Sequence, residues 1–146
     1  MFMVTVSTVL IIENGVVVIK PVCGDKYLFP GGVLNAGKET IQFSAVRHVK
    51  EQTGLTLKKD LLIPVDFRSA PERSEEGNEI DIGFVCVLDN VTADDLWTRS
   101  EAKWAQVDFE SKELLVSNNR INEQLYMDHE VLLSRAIDLV LLMKDE

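Results

Sequence analysis

The chain has 146 residues, 46% of them hydrophobic, which suits one globular domain with a good-sized core. Its formal charge of −9 leaves no basic stripe to displace counterions from a nucleic-acid polymer, so such a partner is excluded. The same field repels free nucleotides unless they arrive with cations or meet a local basic patch.

Residues 1–12 are apolar, but they lack a basic leader and a small-residue cleavage site and are too short to span a bilayer. A soluble cytoplasmic protein without a membrane partner is expected. Asn14-Gly15, followed by the β-rich run 16–20, predicts a hairpin turning at that dipeptide. Cys23 and Cys86 are isolated and read as reduced thiols without metal-ligand spacing. Tyr27-Leu28-Phe29 reads as a short strand before Pro30.

Gly31, Gly32 and Gly37 then form a loop that permits close backbone approaches, and Glu39 and Thr40 offer acceptors to the first free amides of a helix. Ile41, Ala45, Val46 and Val49 recur at helical spacing over 41–53, and Gly54 suits the stop. Further strands are expected over 61–68, 79–88 and 104–107, with a charged loop over 73–78. An amphipathic helix over 128–143 closes the chain. There is no repeat, linker or low-complexity tract, so residues 1–146 read as a single α/β layered domain around a mixed sheet.

The helix over 41–53 carries the chemistry. At about 100° per residue, Ser44, His48, Glu51 and Gln52 share one face, with Arg47 at its edge. Clustered carboxylates supply the oxygen ligands that hard cations such as Mg²⁺ need, and such cations neutralise a leaving phosphate and lower the pKa of an attacking water.

This stretch resembles the Nudix hydrolase family, whose signature reads G-x5-E-x7-R-E-U-x-E-E-x-G-U with U a bulky aliphatic residue. Over residues 32–55, Gly32 takes the first glycine, Arg47 the arginine, Val49 and Leu55 the aliphatic positions, Glu51 the first Glu of the closing pair and Gly54 the last glycine. Glu39 lies the required eight residues before Arg47, but six residues rather than five separate it from Gly32, with Lys38 as the insertion. His48 replaces the Glu after the arginine, and Gln52 replaces the second Glu of the pair.

The resemblance implies a Nudix-type α/β/α sandwich with a mixed β-sheet. It also implies cleavage of the pyrophosphate of a nucleoside diphosphate linked to another group, ADP-ribose-like or a nucleotide, with Mg²⁺ or Mn²⁺. Glu51 and Glu39, with the Gly32 carbonyl, would stand at the metals, joined by His48 and Gln52 as neutral donors. Arg47 would pair with Glu39, and His48 would be ligand or proton acceptor. Two lost charges imply weak Mg²⁺ affinity and impaired catalysis, and imidazole suits Mn²⁺ better. The alternatives are a Nudix-like domain that binds or senses a nucleotide without cleaving it, and a purely structural domain. Many Nudix proteins are dimers, so a homodimer stays open.

Outside this segment, Glu101 is the acidic residue that could complete the metal site, against the plainer reading of a surface Glu. Glu75, Glu76, Glu79 and Asp81 are read as a solvated acidic run rather than further ligands. Pro71, 16 residues beyond Leu55, either marks an ADP-ribose-cleaving member or shapes a turn. Trp97, Trp104 and Phe67 could stack a base but are more simply packing residues, and His129 is expected to be an exposed polar residue.

Overall fold

The computed structural model describes residues 3–69, 78–97 and 101–144. Pro71, Glu75 and Glu76 lie outside the described residues. Among them the chain runs β1 (Met3–Ile12), β2 (Gly15–Ile19), β3 (Gly31–Val33), α1 (Ile41–Thr53), β4 (Ile63–Ser69), β5 (Glu79–Leu88), β6 (Ala102–Asp108), β7 (Glu113–Val116), β8 (Asn119–Arg120) and α2 (His129–Lys144).

The eight strands form one mixed sheet in the order β4-β5-β1-β2-β6-β7-β8, with β3 also pairing β1. Strand β1 is central. It runs parallel to β5 along ten residue pairs, Met3↔Glu79 to Ile12↔Leu88. On its other edge, β3 covers Thr5, Ser7 and Val6 in antiparallel register, while β2 meets β1 only at Ile11 and Ile12.

Alternation along β1 builds two cores. Val9 and Ile11 join Leu132, Leu133, Ala136, Ile137 and Val140 of α2. Val6, Leu10 and Ile12 join Ala45 and Val49 of α1 on the opposite face. The result is the expected sandwich, a helix on each face of a mixed sheet. Leu132, Leu133 and Ile137 are essentially fully buried, each a contribution of about 1.5–3 kcal/mol.

The expected strand over 79–88 and the helix over 41–53 match β5 and α1 residue for residue. Thr40 caps α1 by accepting from Phe43 N–H at 3.1 Å. Glu39 does not cap the helix; it accepts from Asn35 N–H at 2.9 Å and so closes the preceding loop. Gly54 ends the helix at φ 84°, and a Cβ there would also run into the Trp97 indole.

Other expectations need correction. The hairpin turn places its positive φ, 57°, on Glu13, while Gly15 already lies in β2, where a Cβ would strike the Ala105 carbonyl and the Trp104 ring. Residues 27–29 form no strand; Leu28 and Tyr27 make isolated bridges to Ile19 and Leu125. The glycine loop instead contributes β3.

A buried ion cluster ties β4, β5 and α2. Arg68 bonds Asp66 at 3.0 Å, Asp128 at 2.5 Å and Asp81. Arg135 of α2 reaches Asp66 at 3.0 Å. Burial pulls the Arg68 pKa down, but the charges of Asp81, Asp66 and Asp128 outweigh it and leave the pKa raised. Asp81 and Glu79 are therefore not solvated acids: both are buried in β5, Asp81 at 1% exposure. Removing the cation would take this counter-charge from the buried Asp81 and from Asp128, while Asp66 keeps Arg135. Arg68→Ala is expected to lose about 3–5 kcal/mol in urea denaturation, and a loss below about 1 kcal/mol would show that the cluster adds no stability.

Candidate functional site

A cleft of about 440 Å³ opens on the α2 face of the sheet, where β2 and β3 leave β1 in different directions. Thr5, Ser7 and Asp81 form its floor, and Gly31 and Gly32 line the side nearest α1. Thr5 and Ser7 both donate to Asp81 Oδ1, at 2.5 and 2.9 Å, so the floor is an internally bonded polar strip tied to the Arg68 cluster.

The opposite wall is aromatic, formed by Phe29, Tyr126 and His129. His129 is 3% exposed, which overturns its reading as a surface residue. Its Nδ1 accepts from Phe29 N–H at 3.1 Å, so this nitrogen is unprotonated. The ring stacks on Phe29 at 5.5 Å and meets Tyr126 edge-on at 5.6 Å. Nothing in the local sequence flags this role, since the partner amide is 100 residues away.

On the neighbouring face of α1 the structure brings together five of the expected site residues. Arg47 is the hub: its Nε and Nη2 donate to the two Glu39 oxygens at 2.9 and 2.8 Å, and Nη1 reaches both Glu51 oxygens at 3.4 Å. The bond to Arg47, then that from Asn35 N–H, holds the Glu39 carboxyl at about 2, below its ordinary 4.5, and Arg47 is raised in turn. Glu51 stays 57% exposed.

His48 and Gln52 face the backbone of β3. Pro30 accepts from Thr8 N–H, and Leu34 N–H donates to Val4. In an antiparallel ladder of this register, Gly32 faces Val6, while the peptide groups of Gly31 and Val33 point away from β1. Gln52 satisfies both polar groups of Gly31: Oε1 accepts from its N–H at 3.0 Å, and Nε2 donates to its carbonyl at 2.7 Å. His48 Nε2 lies 3.0 Å from the Val33 carbonyl, which can only accept, and 3.3 Å from Arg47 Nη2, which can only donate; the shorter contact assigns the proton to Nε2. A Cβ on Gly32 would stand 2.5 Å from the His48 ring.

Glu101 has its described contacts elsewhere. Its backbone carbonyl accepts from Lys20 N–H at 3.1 Å, and its carboxylate lies 3.4 Å from Val22 N–H, beyond the end of β2. Of the three aromatic residues, Trp104 packs and donates to the Ile12 carbonyl at 2.9 Å, and Trp97 is half-exposed against Gly54 and under Lys50. Phe67 is 76% exposed on β4. Cys23 is exposed, and burial pushes the Cys86 thiol up to about 11.

A strand-edge glycine segment, a helix beneath it with an Arg–Glu clamp, and an aromatic cleft on the α2 face are features of an α/β domain of Nudix type. The NUDIX domain model matches residues 1–126, and the chain belongs to that family. No curated protein matches the sequence.

Among solved structures it is similar to a MutT/nudix family protein from Enterococcus faecalis, at 19% identity and TM-score 0.68, over 97% of this chain and 62% of that one. It is similar to a bifunctional NMN adenylyltransferase/ADP ribose pyrophosphatase from Francisella tularensis, complexed with AMP and a Mn ion, at 21% identity and TM-score 0.63, over 99% of this chain and 42% of that one. It is also similar to the NUDIX domain of Shewanella oneidensis NrtR, complexed with ADP ribose, at 16% identity and TM-score 0.69, over 96% of this chain and 89% of that one. At these identities the likeness shows the fold. The chain spans less than two thirds of the first two relatives. No helix among the described residues is long and apolar enough to cross a membrane.

Divalent metals are general in the family, but the donors on α1 do not fit a hard dication as they stand. Both Glu39 oxygens are paired with Arg47, Gln52 Oε1 accepts from Gly31 N–H, His48 brings no negative charge, and of these side chains only Glu51 presents an exposed carboxylate. No group of three or more His, Cys, Asp or Glu side chains comes together to hold a metal among the described residues.

The Glu39 clamp gives a pH signature. Because its folded pKa is depressed, its stabilisation is present above about pH 4.5 and is lost as pH falls toward about 2. Thermal melts across that window are expected to decline more steeply for the wild type than for Glu39→Gln. Parallel declines would show that the clamp does not couple to folding.

Proposed function

We propose that this NUDIX domain binds a nucleoside diphosphate linked to a further group, with ADP-ribose as the type, and that pyrophosphate cleavage at the site is impaired. The observation that carries this reading is the cleft itself: about 440 Å³ in volume, it runs from an aromatic wall to Gly31 and Gly32, where the absence of side chains lets a diphosphate come close. Tyr126, partly exposed and backed by the buried Phe29 and His129, would receive the base, and the bonded floor of Thr5, Ser7 and Asp81 would shape the depth of the site. Relatives of the same fold are complexed with ADP ribose and with AMP, which supports the ligand class. Impairment is supported by His48 and Gln52, which add no charge and direct their donors at β3.

A second reading, a slow pyrophosphohydrolase using Mg²⁺ or Mn²⁺, is favoured by Glu51, which is exposed and held by Arg47 only through 3.4 Å contacts. In that reading Glu51, Glu39, His48, Gln52 and the Gly32 carbonyl keep the roles the resemblance implies, and Glu101 has no described contact that brings it to them.

A panel of nucleoside-diphosphate-linked compounds, read by thermal shift and by released nucleoside monophosphate with Mg²⁺ or Mn²⁺, tests both. Under the first reading, a ligand at about a hundred times its Kd adds roughly 2.7 kcal/mol and raises Tm by several degrees. Product release should stay below about 10⁻² s⁻¹, against a median of about 10 s⁻¹ for enzymes. His48→Glu with Gln52→Glu should raise the rate by orders of magnitude. Steady wild-type turnover, higher with Mn²⁺, would favour the second reading, and no shift with any compound would remove both.

A further inference from the structure

From the bonds that His48 and Gln52 make to β3, we infer that the two side chains are positioning residues that replace a cation: they hold the glycine strand against α1 with hydrogen-bond donors, so the site is organised without metal. Strand β3 is three residues long and pairs only with β1, so its outward peptide groups must find partners elsewhere. The Gly31 and Val33 carbonyls point toward α1, and each can be satisfied only by a proton donor or by a cation.

Gln52 and His48 supply the donors, at 2.7 and 3.0 Å. Arg47 Nη2 adds a longer contact to Val33 at 3.4 Å. A carboxylate at either position has no proton to give. At position 52 it would keep the bond from Gly31 N–H but turn an oxygen toward the Gly31 carbonyl, leaving that carbonyl unpaired and facing negative charge. At position 48 it would leave the Val33 carbonyl to Arg47 alone. A dication between carboxylate and carbonyl would cancel both defects, so carboxylates at these positions make the strand depend on metal, while His and Gln free it from that need. The orientation of the Gln52 amide is not arbitrary, because only one placement of its oxygen and nitrogen lets both groups bond the same peptide.

The inference does not require any ligand in the cleft, and its readouts are melting curves of the protein alone, so its failure and that of the proposed function are separable. Wild type, Gln52→Glu, Gln52→Met and His48→Glu/Gln52→Glu are melted with EDTA, with millimolar Mg²⁺ and with millimolar Mn²⁺. Wild type should melt at the same temperature, within about 1 °C, in all three. Each variant should melt roughly 3 °C or more below wild type in EDTA at neutral pH, the range expected for one or two lost bonds in a domain of this size.

The double variant should recover with Mn²⁺ or Mg²⁺, whereas Gln52→Met should not respond. For Gln52→Glu the deficit should also shrink as pH falls below about 4, where the protonated carboxyl can again donate to Gly31. Stabilisation of wild type by either cation would overturn the inference. So would a Gln52→Glu protein that melts like wild type, or a double variant whose deficit no metal corrects.

Discussion

One edge of β1 is shared between two strands, and the site follows from that. Near its C-terminal end β1 pairs with β2, and near its start with β3. Two strands cannot lie side by side on the same partner at the same height, so the chain between them must leave the sheet and return. The connection 20–30 makes that excursion, held by the Ile19–Leu28 bridge and by Tyr27, whose N–H and carbonyl bond Gln124 and Tyr126. The gap left over β1 is the cleft, with the sheet as floor and the returning chain as one wall.

Parallel pairing with β5 completes the arrangement. It brings Asp81 beside Thr5, on the face where Ser7 also points, and the three become one bonded strip at the cleft floor. A carboxylate in that position needs a counter-charge, and β4 supplies it through Arg68. Arg68 also binds Asp128, the residue before α2, while His129 begins the helix and accepts from Phe29 N–H. The buried cluster thus fixes the end of the helix whose first residue forms the aromatic wall. Stability and site geometry share the same side chains.

How much of this the sequence discloses depends on the range of the interaction. Helix α1 is written in local terms, a Thr40 cap, an apolar period and Gly54, and it is recovered to the residue. Strand β5 is likewise evident from its apolar run. Strand β3 is not, because Gly-Gly-Val has little β preference of its own and becomes a strand only where β1 offers an edge. Gly15 looks like a turn glycine, yet its constraint comes from Trp104 and Ala105 across the sheet. Asp81 and His129 are polar residues in polar surroundings until Arg68 and Phe29, far away in the chain, bury them. The grouping of Glu39, Arg47, His48, Glu51 and Gln52 was legible because one helix and its preceding loop carry all five. Their partners on β3 were not, for the same reason that β3 was not.

The substitutions at 48 and 52 alter the electrostatics of the site as well as its bonding. Near a protein surface, two like charges about 5 Å apart repel by roughly 3 kcal/mol at an effective dielectric of ~20. A chain of net charge −9 already opposes a diphosphate, and two more carboxylates beside the glycine strand would add to that unless a dication neutralised them. Under the proposed function, His48 and Gln52 in those places would let a diphosphate approach Gly31 and Gly32 without bringing metal. On the same reading, the site would give up charge that helps to draw in a dication and to activate water. On that reading, holding and cleaving make opposite demands on the same two positions, and the bonds from His48 and Gln52 to β3 are of the kind that holding needs.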